Sequence, residues 1–141
     1  MNNESEKGTG KSEAQSRPAE DRGNGWTFEN LEIWQDAIAL AAHVYQRFQG
    51  CRDYEFRGQI RSASVSVSSN IAEGYERDSN AELIRFLFIA KGSCGEVRSQ
   101  SHLAHHVKLL DEAAAKELVG ESQRLSRRIQ KFIDVRRQKF S

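Results

Sequence analysis

Residues 59–74 read Gln59-Ile60-Arg61-Ser62-Ala63-Ser64-Val65-Ser66-Val67-Ser68-Ser69-Asn70-Ile71-Ala72-Glu73-Gly74. Two periods compete in this stretch. Ser64 to Ser68 alternate as a half-buried strand would, whereas Ile60, Ala63, Val67 and Ile71 fall on one face of a helix. The helical phase spans the whole stretch and the alternation only its middle, so the expectation is a helix. Gly74 then stands where a helix C-terminus favours a residue free to adopt positive φ.

Upstream of this helix, Thr27 and Asn30 are good N-cap types, and Glu29, Glu32 and Asp36 suit the positive end of a first helix. Trp34, Ile38, Ala41, Tyr45 and Phe48, supported by Ala37 and Val44, form its apolar stripe. Gly50 ends the pattern, and Cys51 to Phe56 connect to the second helix. Residues 1–25 are polar, with four glycines and no large apolar residue after Met1. They bury too little surface to offset their ordering entropy and are expected to be a disordered tail, leaving 26–141 as the folded domain.

Downstream, Glu76 to Asn80 make a polar turn that caps a long third helix over about 81–110. Leu83, Phe86, Leu87, Ala90, Cys94, Val97, Ser101 and Ala104 stay in phase along it. Gly92 and Gly95 lie inside, each costing about 1 kcal/mol relative to alanine, so close approach of a neighbouring backbone is expected there. Ile84 and Phe88 point off the main stripe, toward either another subunit or a broad core face. After a turn at Asp111 to Ala115, a fourth helix carries Leu118, Leu125, Ile129, Phe132 and Ile133 on one side. Arg124, Arg127, Arg128 and Lys131 recur at helical spacing on the other. Residues 121–139 hold seven basic and two acidic side chains, a local net charge of +5. Four amphipathic helices joined by short turns predict an all-α, antiparallel up-and-down four-helix bundle.

Composition agrees. A chain of 141 residues suits one domain, and a single proline favours long helices. The net charge of +1 gives no global sign of a polyanion partner, so such a site must come from local clustering. Two cysteines make neither a disulfide scaffold nor a metal motif, and without a signal peptide they imply the cytoplasm. No apolar run approaches the ~18 residues that cross a bilayer.

With the helices placed, the sequence resembles the bacterial 23S rRNA intervening-sequence proteins. The resemblance is carried by Phe28, Leu31, Trp34 and Ala37, by the Gln59 to Gly74 block, and by Arg85-Phe86-Leu87, Ile89-Ala90, Gly92-Ser93 and Glu96. It covers Phe28 to the C-terminus. Two prolines usual in the family are missing, where Ser68 and Gln49 stand, which puts helix boundaries rather than the fold in question. The resemblance implies a cytoplasmic bundle, often a ring-shaped homo-oligomer and commonly a pentamer, with some members encoded inside inserts of the large-subunit rRNA gene. A related bundle, the accessory variability determinant of diversity-generating retroelements, implies reverse transcriptase and nucleic acid as partners. No catalytic residue is implied, and no cofactor.

The residues themselves point to few chemistries. Asn70 and Glu73 sit near the buried edge of the second helix, and a buried carboxylate needs a partner, for which Arg61 and Arg85 are the candidates. A catalytic carboxylate would need a second acid or a metal. His102, His105 and His106 invite a metal reading, since His102 and His106 share a helix face, but no further ligand lies within a turn. Gly92-Ser93-Cys94-Gly95 has the wrong spacing for a nucleophile elbow. The stripe of Arg124, Arg127, Arg128 and Lys131 is the one feature that names a ligand class, because such residues supply most non-specific affinity for RNA or DNA. A charged face opposite a core face is equally what any solvated helix presents, and the stripe lacks interleaved aromatics. The sequence therefore predicts a non-enzymatic nucleic-acid adaptor. Its rival is a protein-assembly module that recruits through the apolar face at Ile84 and Phe88.

Overall fold

A computed structural model describes residues 25–140, and these form four α-helices and no strand. The expected polar tail lies, but for Gly25, outside the described residues. The helices are α1 (Glu32–Arg47), α2 (Tyr54–Tyr75), α3 (Asn80–His106) and α4 (Glu112–Phe140). A 3-10 turn over Phe28–Asn30 precedes α1, closed by the Thr27 N–H donating to Asn30 Oδ1 at 2.8 Å. The first helix thus begins later than the cap residues suggested.

Side chains cap the other helices where water would otherwise have to serve. Asp53 Oδ1 accepts from the Phe56 N–H, Ser79 Oγ from Glu82 and Asp111 Oδ1 from Ala114. Asp111 therefore starts α4 at Glu112, and the expected turn through Ala115 is instead its first helical turn. The α3–α4 turn lies earlier, where Lys108 adopts φ 65° and the Leu109 N–H reaches back to the Ala104 carbonyl at 2.8 Å. That is a glycine-type helix stop filled by lysine.

The competition in 59–74 resolves as helix, with Ile60, Ala63, Val67 and Ile71 buried. Ser64 and Ser68 are buried too, and their hydroxyls donate back to the Arg61 and Val65 carbonyls at 2.8 and 3.1 Å. Small, self-satisfied side chains let α3 approach closely. Gly74 is the nearest point. It does not end α2 by positive φ; an added Cβ there would lie 2.7 Å from Phe86 Cβ.

The α1 stripe is rotated from its expected position. Ile33, Ala37, Leu40, Val44 and Phe48 are buried, while Ile38 and Tyr45 are 43% and 44% exposed. Among the described residues, Leu40, Ile60, Leu87, Leu118, Ile129 and Ile133 anchor the core. Each contributes on the order of 1.5–3 kcal/mol by burial.

Gly92 and Gly95 do not serve a close contact within the chain, because an added Cβ at either meets nothing within 4 Å. Gly95→Ala is therefore expected to raise stability by about 1 kcal/mol, through helix propensity and a restricted unfolded chain. Denaturant unfolding reads the shift in midpoint. A loss of stability would mean that another molecule packs on this face.

Candidate functional site

Helix α4 offers its basic residues on two sides of one ridge. Arg124, Arg127, Arg128 and Lys131 are all exposed. Arg128 is committed, its guanidinium donating to Asp36 of α1. The same α1–α4 seam is closed by His43 Nδ1 with Glu121 at 2.8 Å and by Arg47 with Glu117. The hydrogen bond to Glu117 holds Arg47 further into its charged form. A cleft of about 290 Å³ between Asp36, His43, Glu121, Arg124 and Arg128 marks this seam. Its carboxylates, Asp36, Glu117 and Glu121, offset Arg124, Arg128 and His43, so the cleft itself offers phosphate no surplus of positive charge. Arg124, Arg127 and Lys131 have no hydrogen bond or ion pair among the described residues. They remain the cations available to a ligand.

The residues expected to form a buried polar register do not meet. Glu73 is exposed and accepts from Arg77 at 2.9 Å, one turn along its own helix. Arg61 reaches α1 instead, donating to the Tyr45 carbonyl at 3.2 Å with its guanidinium 4.3 Å above the Tyr45 ring. Arg85 pairs with Glu82 at 3.1 Å, and that hydrogen bond keeps the Glu82 carboxyl below the usual range. Asn70 donates to the Ser66 carbonyl and hydroxyl at 2.8 and 3.0 Å, and Ser66 meets Ser93 of α3 at 2.9 Å. This serine–asparagine network, missed in the sequence, sets the α2–α3 register through neutral groups. Burying them avoids the desolvation penalty that a carboxylate would carry.

Beside it, Tyr54, Gln59, Ser62, Glu96 and Gln100 line an open furrow of about 680 Å³. It holds two acids, Glu55 and Glu96, and no histidine. His102, His105 and His106 are exposed at the end of α3; His106 Nδ1 lies 3.1 Å from the His102 carbonyl oxygen, so its ring turns back onto its own helix. Among the described residues no group of three potential ligands is arranged to hold a metal.

Cys94 is buried, and desolvation pushes its thiol up to about 12, whereas Cys51 is half-buried near the helix connection. At pH 8 a thiol reagent is expected to titrate Cys51 in the native protein and Cys94 only after unfolding, because the thiolate is the reactive form. Rapid modification of both would contradict the packing around α3.

Phe88 is 39% exposed on α3 with the Arg137 guanidinium 5.2 Å over its ring, and Ile84 packs partly against the core. Ile84, one helical turn from Phe88, is half-buried, so Phe88 is the more exposed of the two. A second apolar surface runs along α1 through Trp34, Ile38, Ala41 and Tyr45, on the flank where Arg61 of α2 covers Tyr45. No described helix is long and apolar enough to cross a membrane.

The profile of the 23S rRNA-intervening sequence protein family matches residues 29–131. A solved structure of a protein of unknown function from the S23 ribosomal protein family of Bacteroides thetaiotaomicron superposes with a TM-score of 0.67 at 17% identity, over 72% of this chain and 97% of that one. At that identity the likeness speaks for the fold. No curated protein matches the chain.

Proposed function

The chain belongs to the 23S rRNA-intervening sequence protein family, and on that footing we propose that it is a non-enzymatic nucleic-acid adaptor. In this reading the helices run up and down in antiparallel order, and copies of the bundle close into a cytoplasmic ring, with a pentamer favoured. RNA or DNA is held by its phosphates, without reading of base sequence, beside a protein partner such as a reverse transcriptase.

The observation that carries this reading is the set of exposed cations on α4, Arg124, Arg127 and Lys131, with no ion pair among the described residues. Three such cations per chain become about fifteen around a five-membered ring, which turns a weak local patch into a strong field. The rival is an assembly module that binds protein through apolar surface, favoured by the exposure of Ile38, Tyr45, Phe88 and Ile89.

Ionic strength separates the two. Light scattering fixes the assembly state, and binding to labelled RNA and DNA is then followed over a salt series. Phosphate binding falls linearly in log K against log salt, while apolar docking barely moves. An assembly that ignores both nucleic acids at low salt would overturn the adaptor reading in favour of its rival.

A further inference from the structure

The charge around α4 is lopsided. Its α1 flank holds Glu117 and Glu121 and faces Asp36, so cations there are answered by carboxylates. Its α3 flank is different. On α3 the residues turned toward α4 include Lys91, Gly95 and Arg98 and no acid; on α4 they include Arg127, Gln130 and Arg137, with Asp134 the one carboxylate.

Two contacts fix the register between these helices. Lys91 Nζ donates to Gln130 Oε1 at 2.7 Å, and Arg137 lies over Phe88. Residue numbers therefore rise along α3 as they fall along α4. Stepping three residues back from Gln130 to Arg127 corresponds to three forward from Lys91, to Cys94. Counted instead from Phe88 and Arg137, ten residues back on α4 are ten forward on α3, to Arg98, so Arg127 stands beside the turn from Cys94 to Arg98. Gly95 leaves the floor open, since even a Cβ there meets nothing within 4 Å.

Resting on the adaptor reading and deepening it, we propose that the surface where α3 and α4 meet is the track of one single nucleic-acid strand, with Lys91, Arg127 and Arg98 each holding a phosphate. Lys91 and Arg98 are seven residues apart, about 10 Å of helical rise, or about three steps of roughly 3.4 Å, so a strand lays about four phosphates along this span and the three cations can hold three of them. The Lys91 ammonium has three N–H donors, so it keeps Gln130 and still reaches a phosphate. All three cations lie along one strip, which follows a single backbone and offers the second strand of a duplex no contact. Arg137 already covers the Phe88 ring, so phosphate contact rather than base stacking carries the binding there.

The test measures anisotropy of labelled oligouridine, oligothymidine and a matched duplex with the full chain. Variants are Arg98→Gln, Arg98→Glu and Gly95→Phe, each checked for unchanged helicity. Arg98→Gln is expected to weaken single-strand binding and to lower the salt slope by roughly 0.7, one contact's share. Arg98→Glu should weaken it roughly tenfold or more, and Gly95→Phe should weaken it without altering charge. If the wild type binds but these variants bind equally well, the track is wrong while the adaptor reading stands. Equal affinity for the duplex would also overturn the track. If the wild type binds no nucleic acid, both fall together.

Discussion

Gly74→Ala is expected to cost the protein about 1–3 kcal/mol, lowering its melting temperature by on the order of 10 °C. The reason lies in the geometry of the α2–α3 crossing. An alanine Cβ at this position would sit 2.7 Å from Phe86 Cβ and 3.3 Å from the Leu83 carbonyl oxygen. Neither atom is the end of a flexible chain. Phe86 Cβ moves only with its backbone, and the Leu83 carbonyl belongs to the helix itself. The helices must therefore separate locally, and the serine–asparagine network at Ser66, Asn70 and Ser93 loosens with them. Alanine's better helix propensity returns about 1 kcal/mol, but a 2.7 Å contact with a Cβ tied to its backbone puts the clash at the upper end of overpacking, about 2–4 kcal/mol, so about 1–3 kcal/mol remains. Gly95→Ala is the internal comparison: it gains the same propensity and meets no atom. The two substitutions should move the melting temperature in opposite directions. An unaltered midpoint for Gly74→Ala would show that α2 and α3 pack less closely than described.

The same glycines show what could be read before the structure. Helical period placed α2, α3 and α4, because each has one apolar stripe. On α1 it erred by a small rotation: Ala37, Val44 and Phe48 of the expected stripe are buried, but Ile33 and Leu40 face inward where Ile38 and Tyr45 were expected, and all four are apolar. Hydrophobicity cannot choose between them. Charge could have chosen. Asp36, His43 and Arg47 recur on one flank of α1, and Arg128, Glu121 and Glu117 answer them in reverse order on α4. Setting these pairs face to face turns α1 so that Leu40 points inward. Gly74 was seen as special for the wrong reason, since a glycine required by a neighbour and one required by φ look alike in a sequence. Glu73 was expected to reach across the bundle, yet Arg77 offers it a partner one turn away, and local pairs on a helix form at little entropic cost. The basic stripe was found as residues but not as a surface. Only the seam shows that Arg128 is spent on Asp36 while Arg127, beside it, has no ion pair among the described residues.

Reversing Arg124, Arg127 and Lys131 together to glutamate is expected to reduce polyanion binding by about a hundredfold or more at low salt. Far-ultraviolet circular dichroism should not change. The three side chains are exposed and have no partner among the described residues, so their loss leaves no buried group unsatisfied. The salt dependence should flatten as well, by roughly 0.7 to 0.9 per contact removed. Arg128 is kept out of this variant deliberately. Its reversal would set a glutamate against Asp36 and open the α1–α4 seam, so weaker binding could then be mistaken for lost contact. A separate Arg128→Glu variant should lose stability and regain it with Asp36→Lys, which restores the pair with its signs exchanged. If that rescue recovers stability while the triple variant still fails to bind, the basic residues of α4 divide in role: Arg128 holds α1 in place, and Arg124, Arg127 and Lys131 meet the phosphates. If instead the triple variant binds as well as the wild type, the ridge is only solvated surface. The exposed apolar face of α1, at Ile38 and Tyr45, is then the surface to follow.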